Sequence, residues 1–442
     1  MNTDTAHIVD QLVGQAMELI EENGNSGFIR QARKAATQQF RHIGFPEAGS
    51  EDWKYTNVQP WLKRTAVKEV LVTPPVTRRT CSEQLDTAVR IVTKNGKLDK
   101  GSSSAVLPAG LHVSTFTDAV LSDNEQFKAH FGTLTSQVEH FSVANASLFE
   151  EGLFVYVEPY MESDIPIHII HKVTQSVPGF VHPRQLIIAG GKTNVNIVET
   201  FEREDGTAYT FINSMSELIV GKQAIVKHYL INTCNADVAS VYNLEVQTAE
   251  DSQYHNFNFM FSGNPFIRNN IHVVMDGGNT HTKLSGLYIS GEDQLVDNHT
   301  CVEHKVADCR SDEKYKGILH GSSAAVFNGK IIVHPGAQRT TAYQQNNNLI
   351  MDDMATVYTK PELQIFADDV QCTHGVTVGE FDQHALFYLQ SRGIPEENCL
   401  EILMQAFAFD IIDHISHKSI KKHVAQLFIT FLKLLGKHNK TK

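Results

Sequence analysis

The sequence predicts a mainly β protein, a parallel β-helix (solenoid) flanked by N-terminal and C-terminal helical regions. Three observations carry this. From about Arg184 to Gly379, apolar alternating runs recur, each broken by a short turn cluster. The clusters are near-equally spaced: with Gly190, Gly221, Glu250, Gly277, Asp308, Gly336 and Asp368 as markers, the steps are 31, 29, 27, 31, 28 and 32 residues. After Gly379 the apolar period switches from that of a strand to that of a helix.

Residues 5–23 and 28–42 read as two amphipathic helices separated by the breaker cluster GNSG. In the connector that follows, Pro46 and Gly49 end the helical pattern, and Trp53, Tyr55 and Trp61 read as a clamp onto a neighbouring region rather than a ligand platform. Residues 65 to about 165 mix short strands with helices, including SDNEQFKAHFG. Each repeat unit then holds two strand runs, such as SELIV with AIVKHYLI, or NIHVVM with THTKLSGLYI. A two-strand unit cannot bury its apolar face alone and must stack on its neighbours. A propeller blade would need four strands in about 40 residues or more. The domains expected are therefore 1–165, 166–380 for the solenoid, and 381–442 for a helical tail.

In that tail Asp382 is placed as an N-cap and Gly393 as the residue just past a helix end. Pro395, Glu396 and Glu397 open a second helix with Leu403, Phe407, Ile411 and Ile415 on one stripe, and a third amphipathic helix with a basic end follows. Such helices either project from one end of the rod to dock a partner or cap its open edge.

Composition narrows the function. With 41% hydrophobic and 20% charged residues the chain reads as an ordinary soluble protein, and its net charge of −12 argues against a nucleic-acid partner. The six cysteines (Cys81, Cys234, Cys301, Cys309, Cys372, Cys399) form no C-x-x-C pair and no disulfide framework. The N-terminus reads as a helix rather than a signal peptide, and no run is long enough for a membrane span, so the expected location is the cytoplasm.

Several chemistries are excluded by their motifs. GGKT at 190–193 lacks the first glycine of a phosphate loop, Leu186 standing in its place, and lies between strands. No G-x-S-x-G occurs. Asp368 and Asp369 are adjacent, so in a strand they face opposite sides and make a poor acid–base pair. The longer steps also exclude the hexapeptide period of β-helical acyltransferases. Among 22 histidines, His228, His255, His272, His281, His299, His304, His320 and His334 fall in the repeat, where convergence is not readable from sequence. The best pair is Cys372 and His374 in ADDVQCTHGVTVG, two soft donors sharing one face of a strand with Val370. Two ligands are not a complete site, and the same pair also fits the interior of a sheet.

The block AVFNGKIIVHPGAQRTTAYQQNNNLIMDDMATVYTKPELQIFADDVQCTHGVTVGEFDQHALFYLQSRGI (325–394) closely resembles the SufB/SufD family of iron–sulfur cluster assembly proteins. So do SEDWKYT (50–56) and FSVANASLFEEGLFVYV (141–157), and the ADDVQCTHG form is most like the SufD branch. The resemblance implies a right-handed parallel β-helix and a non-catalytic scaffold in a complex with SufB and two copies of the ATPase SufC. Nucleotide would then be bound by SufC and not by this chain. SufC would dock on the C-terminal helices, at Phe387, Tyr388, Arg392, Gly393 and Phe407. A nascent iron–sulfur cluster would form transiently where the β-helix end meets SufB, with His374 facing a SufB cysteine and Cys372 beside it. Two alternatives stand: a β-helix enzyme acting on carbohydrate, and a SufD-like homodimer pairing Cys372 and His374 of two copies.

Overall fold

Each turn of the repeat gives one strand to each of two sheets, which face one another across a common core. The computed structural model describes residues 3–21, 27–66, 85, 88–174, 178–203, 208–234, 237–261 and 263–438; Cys81 and the ends of the helix read over 5–23 and of the basic tail lie outside them. The first sheet runs through Val89–Lys94, Ile167–Val173, Asn194–Arg203, Ile225–Asn232, Gln253–Met260, His281–Ser290, Arg310–Leu319, Thr340–Ile350 and Val370–Gly379. The second runs through Leu153–Val157, Arg184–Ala189, Thr210–Val220, Val238–Thr248, Phe266–Met275, Leu295–His304, Ala324–Val333 and Thr356–Ile365. Within both sheets these neighbours pair in parallel, so the chain is a β-solenoid of about seven turns, as the repeat predicts. The sheets begin upstream of residue 166, because Val89–Lys94 and Leu153–Val157 already pair with the first repeat strands.

The register reproduces the sequence period. Gln253 lies opposite His281, His281 opposite Arg310, Arg310 opposite Thr341, and Thr340 opposite Val370, steps of 28, 29, 31 and 30 residues. The turn clusters are the stacked corners. Lys192, Gln223, Asp251, Asn279, Asp308 and Arg339 each take left-handed backbone there, with φ between 56° and 64°. The amides of Gln223, Asp251 and Asp308 then donate to carbonyls one coil ahead, at 2.9, 3.0 and 3.0 Å. At one corner backbones approach so closely that only glycine fits: a Cβ on Gly277 would fall 2.0 Å from the Glu250 amide nitrogen.

Between the sheets, inward rows such as Val226, Tyr254, Ile271, Val273, Tyr288 and Tyr315 form the main core. The outer faces are also apolar and need cover. Thr3–Glu21, Gly27–Ile43, Gln59–Ala66 and His140–Leu148 cover the second sheet, packing Ile8, Leu12, Phe40 and Phe141 against Phe211, Val241 and Phe266. The aromatic connector is a clamp on that face: Arg268 lies 3.7 Å from the Trp53 ring centroid, Trp61 stacks on Phe266 and Tyr55 on Tyr358, both at 4.4 Å.

The two long C-terminal helices take neither expected position, projection from one end or a cap on the open edge. Glu396–Ile412 and Lys418–His438 lie flat on the outer face of the first sheet, with Ile411, Ile412, Val424 and Phe428 against Tyr229, Phe257, Phe259 and Ile318. Those four strand residues would otherwise face water, which is the physical reason. Lys314 and Lys316 both reach Asp410 at 2.6 Å and tie the helix to the sheet. The short helix Gln383–Ser391 alone stands off, with no buried residue. Asp382 caps it by accepting from the amides of His384 (2.9 Å) and Ala385 (3.4 Å), and Gly393 ends the turn beyond it with φ 83°. Asp382→Ala is expected to cost that helix about 1 kcal/mol. Amide exchange should quicken within 383–391 while the global unfolding midpoint stays put, since nothing in the core rests on the helix.

Candidate functional site

The two ends of the solenoid differ. Upstream, the sheets finish in antiparallel strands, Lys97–Leu98 on one and Leu111–Thr115 on the other. Downstream, Val370–Gly379 and Thr356–Ile365 are the last strands of their sheets, and among the described residues no further strand pairs with them. Their outer edges therefore present unpaired backbone groups, a template for another chain. Tyr358, Ile365, Phe366, Val376 and Val378 are all exposed at this end, Phe366 by 61%. An open edge carrying this much apolar surface is unusual in a protein that works alone.

Cys372 and His374 stand on that last strand. Cys372 lies in register with Ala342, and His374 with Gln344. Ala342 and Gln344 are buried, so the pair continues two inward-facing rows, and only the lack of a further coil leaves His374 exposed. Cys372 is half-buried against Ile331, Val333 and Ala342, and burial pushes its thiol up from the ordinary value. One coil deeper, Gln344 Nε2 donates to the Glu313 carboxylate at 2.7 Å. Burial raises the Glu313 carboxyl to about 7. Asp368 and Asp369 lie in the bend before the strand rather than within it, and the Asp369 carbonyl accepts from the Arg339 amide at 2.6 Å.

Of the residues expected to dock a partner, Phe387, Tyr388, Arg392 and Gly393 come together on and just after the stand-off helix. Phe387 is 71% exposed, and the Arg392 guanidinium lies 4.8 Å from the Tyr388 ring centroid. Phe407 is apart from them: it is half-buried on the next helix, its carbonyl accepts from Lys316 Nζ at 3.0 Å, and the same ammonium sits 4.2 Å from its ring centroid.

Family models match nearly the whole chain: the SufBD core domain of SUF-system iron–sulfur cluster assembly over residues 171–407, and the SufBD N-terminal region over 4–169. The chain belongs to the SufBD family. Among curated SufBD relatives, the iron–sulfur cluster assembly protein SufD of Escherichia coli is 28% identical over 88% of this chain and 89% of its own length. A SufBD family protein of Synechocystis is 28% identical over 74% of this chain and 73% of its own. SufD of Bacillus subtilis is 25% identical over 65% and 66%. No helix among the described residues is long and apolar enough to cross a membrane.

Most repeat histidines have structural partners. His228 meets Glu199 at 2.6 Å, His281 meets Asp312 at 2.8 Å, His299 meets Asp297 at 3.0 Å and His304 meets Ser311 at 2.9 Å. His272 is different, because the fold brings Cys301 and Glu303 to it from the adjacent coil. The spacing of about one repeat between 272 and 301 was the available signal, but the uneven step hid the register.

Proposed function

We propose that this chain is a non-catalytic, cytoplasmic scaffold subunit that holds a nascent iron–sulfur cluster at its open β-helix end, in a complex with a SufB-like subunit and a SufC-like ATPase. The single observation that carries this is the pairing of Cys372 and His374 with an uncapped sheet edge. Thiolate and imidazole are the donors that iron–sulfur clusters accept. Two donors leave the cluster, as cargo, short of ligands, and an unpaired strand edge is where a partner would bring the rest. The raised Cys372 thiol fits a residue that becomes a ligand only once iron or a partner's charge is present.

The stand-off helix supports an ATPase contact. It offers Phe387 and Tyr388 with Arg392 alongside, a composition favoured at interface centres. A pull on the C-terminal helices would reach the first sheet through Asp410 and its two lysines, on a strand two places from the one bearing His374. Nucleotide-driven closure of the ATPase would thus open and close the cluster-bearing edge.

The test is co-expression of the tagged chain with SufB and SufC homologues from one source, anaerobic purification and reconstitution with iron and sulfide. A co-purifying complex with sulfide-to-iron charge-transfer absorbance is expected. His374→Ala should leave the complex intact and lower its cluster occupancy by about tenfold or more, the scale of losses seen when a metal centre's support is removed. Wild-type absorbance in His374→Ala would sink the assignment of the site. A chain that elutes as a dimer in the presence of the SufB homologue would replace the heteromeric reading with the homodimeric one.

A further inference from the structure

On the outer face of the second sheet, further along the strands than Arg268 of the aromatic clamp, three potential ligands converge. His272 stands on Phe266–Met275, and Cys301 and Glu303 on the neighbouring Leu295–His304, with Cys301 directly in register with His272. One nitrogen of His272, the Cys301 sulfur and one Glu303 oxygen all lie within 4.8 Å of one another. We propose that His272, Cys301 and Glu303 bind a divalent transition-metal ion of the zinc class, at a site separate from the open end.

The surroundings are what a metal-binding histidine requires. Glu245, one strand back and in register, meets His272 Nδ1 at 2.7 Å, which leaves Nε2 aimed at Glu303 Oε1 at 3.0 Å. A carboxylate on the far nitrogen fixes the ring and its tautomer and raises its donor strength. The other Glu303 oxygen meets His334 Nε2 at 3.1 Å, so that carboxylate is oriented as well. The three ligands and Glu245 stand on paired strands of one sheet, which hold them more rigidly than loops would.

Cys301 gives the second reason. Cys234, Cys309 and Cys399 are buried, as free thiols usually are, whereas Cys301 lies half-exposed on an outer face beside an imidazole. A salt-bridged histidine between two carboxylates needs no thiol, and the thiol is what turns the cluster into a borderline-soft donor set. Zinc bonds of about 2.0–2.3 Å put tetrahedral ligand atoms roughly 3.3–3.8 Å apart, so side-chain rotation suffices for closure. Three protein ligands leave a fourth position for water, which makes the ion exchangeable rather than a closed structural centre.

The experiment uses the full-length chain after chelator treatment. Zinc is titrated against a chromophoric chelator, and cobalt(II) is added separately to read the ligand set by its absorption. One equivalent should bind more tightly than about 1 μM, and cobalt should show a thiolate charge-transfer band. Cys301→Ser should abolish the band, while Glu245→Gln, which touches no metal, should weaken zinc binding about 10- to 100-fold. The band should persist in His374→Ala, which separates this site from the one at the open end. If Cys301→Ser fails to fold, Glu303→Gln read by zinc affinity takes its place, with a loss at least as large as that of Glu245→Gln expected. Absence of stoichiometric binding, or a band that survives Cys301→Ser, or an affinity indifferent to Glu245→Gln, would each overturn the proposal.

Discussion

Asp297→Ala should destabilise the chain by about 3–5 kcal/mol, the scale of a buried ion pair broken from one side. Asp297 has no exposed surface and accepts from Arg268 Nη1 at 2.9 Å and from Thr56 Oγ1 at 2.5 Å, with His299 at 3.0 Å. Arg268 in turn donates to the Asp52 carbonyl at 2.8 Å and lies against the Trp53 ring. The carboxylate thus locks the SEDWKYT segment onto the second sheet, and its loss strands a guanidinium that is 3% exposed. Burial alone would raise the Asp297 pKa, but Arg268, His299 and Thr56 outweigh it and hold the group down to about 2. A depressed carboxyl contributes stability that is present above its unfolded value and lost as pH falls through the folded one. Wild type should therefore shed this contribution between roughly pH 4 and pH 2, and Asp297→Ala should not. Replacing Arg268 by methionine as well should recover part of the loss, because the stranded charge goes with it. Denaturant midpoints at neutral pH decide the matter: a shift worth less than about 1 kcal/mol would mean that the pair is a passive contact.

What was legible in the chain followed from local chemistry. The corners were legible because Gly190, Gly221, Glu250, Gly277, Asp308, Gly336 and Asp368 mark them at a near-constant step, and the backbones approach so closely at Gly190, Gly221 and Gly277 that glycine is needed there. Asp382 and Gly393 announced a helix through groups within a few residues of one another. The position of the long C-terminal helices was not legible in the same way. On the sheet that receives them, Ile225–Asn232 is buried on each of its last five residues, so its pattern does not separate a core row from a row that receives a helix. His272 and Cys301 were hidden for a related reason: steps that vary from 27 to 32 residues leave the register between coils undetermined, and a slip of one residue flips a side chain to the other face. For the open end, the sequence named Cys372 and His374 but not what sets them apart. Gln344 occupies the same inward row as His374 and is buried, so exposure comes from being in the final coil and not from neighbouring residues.

That inward row also holds the second large effect. Glu313 is fully enclosed one coil behind Gln344, and its interactions are with two neutral groups, Gln344 and Thr300. Burial therefore wins, and the carboxyl rises from 4.5 to about 7. A carboxyl raised on folding binds more protons in the native state, so stability is greatest in mild acid and falls as pH climbs from about 4.5 to about 7. Above that window the chain carries a buried carboxylate without a cation, at a cost on the order of 3 kcal/mol. Glu313→Gln keeps the shape and an acceptor for Gln344 while removing the charge. The variant should thus be more stable than wild type by about that amount at pH 8 and nearly equal to it near pH 4. Urea unfolding at the two pH values reads the difference directly, and a variant that loses stability at pH 8 would show that Glu313 is ionised and paired. The Asp297 carboxyl responds in the opposite sense because Arg268 shares its burial, so the two substitutions together separate a paired interior charge from an unpaired one.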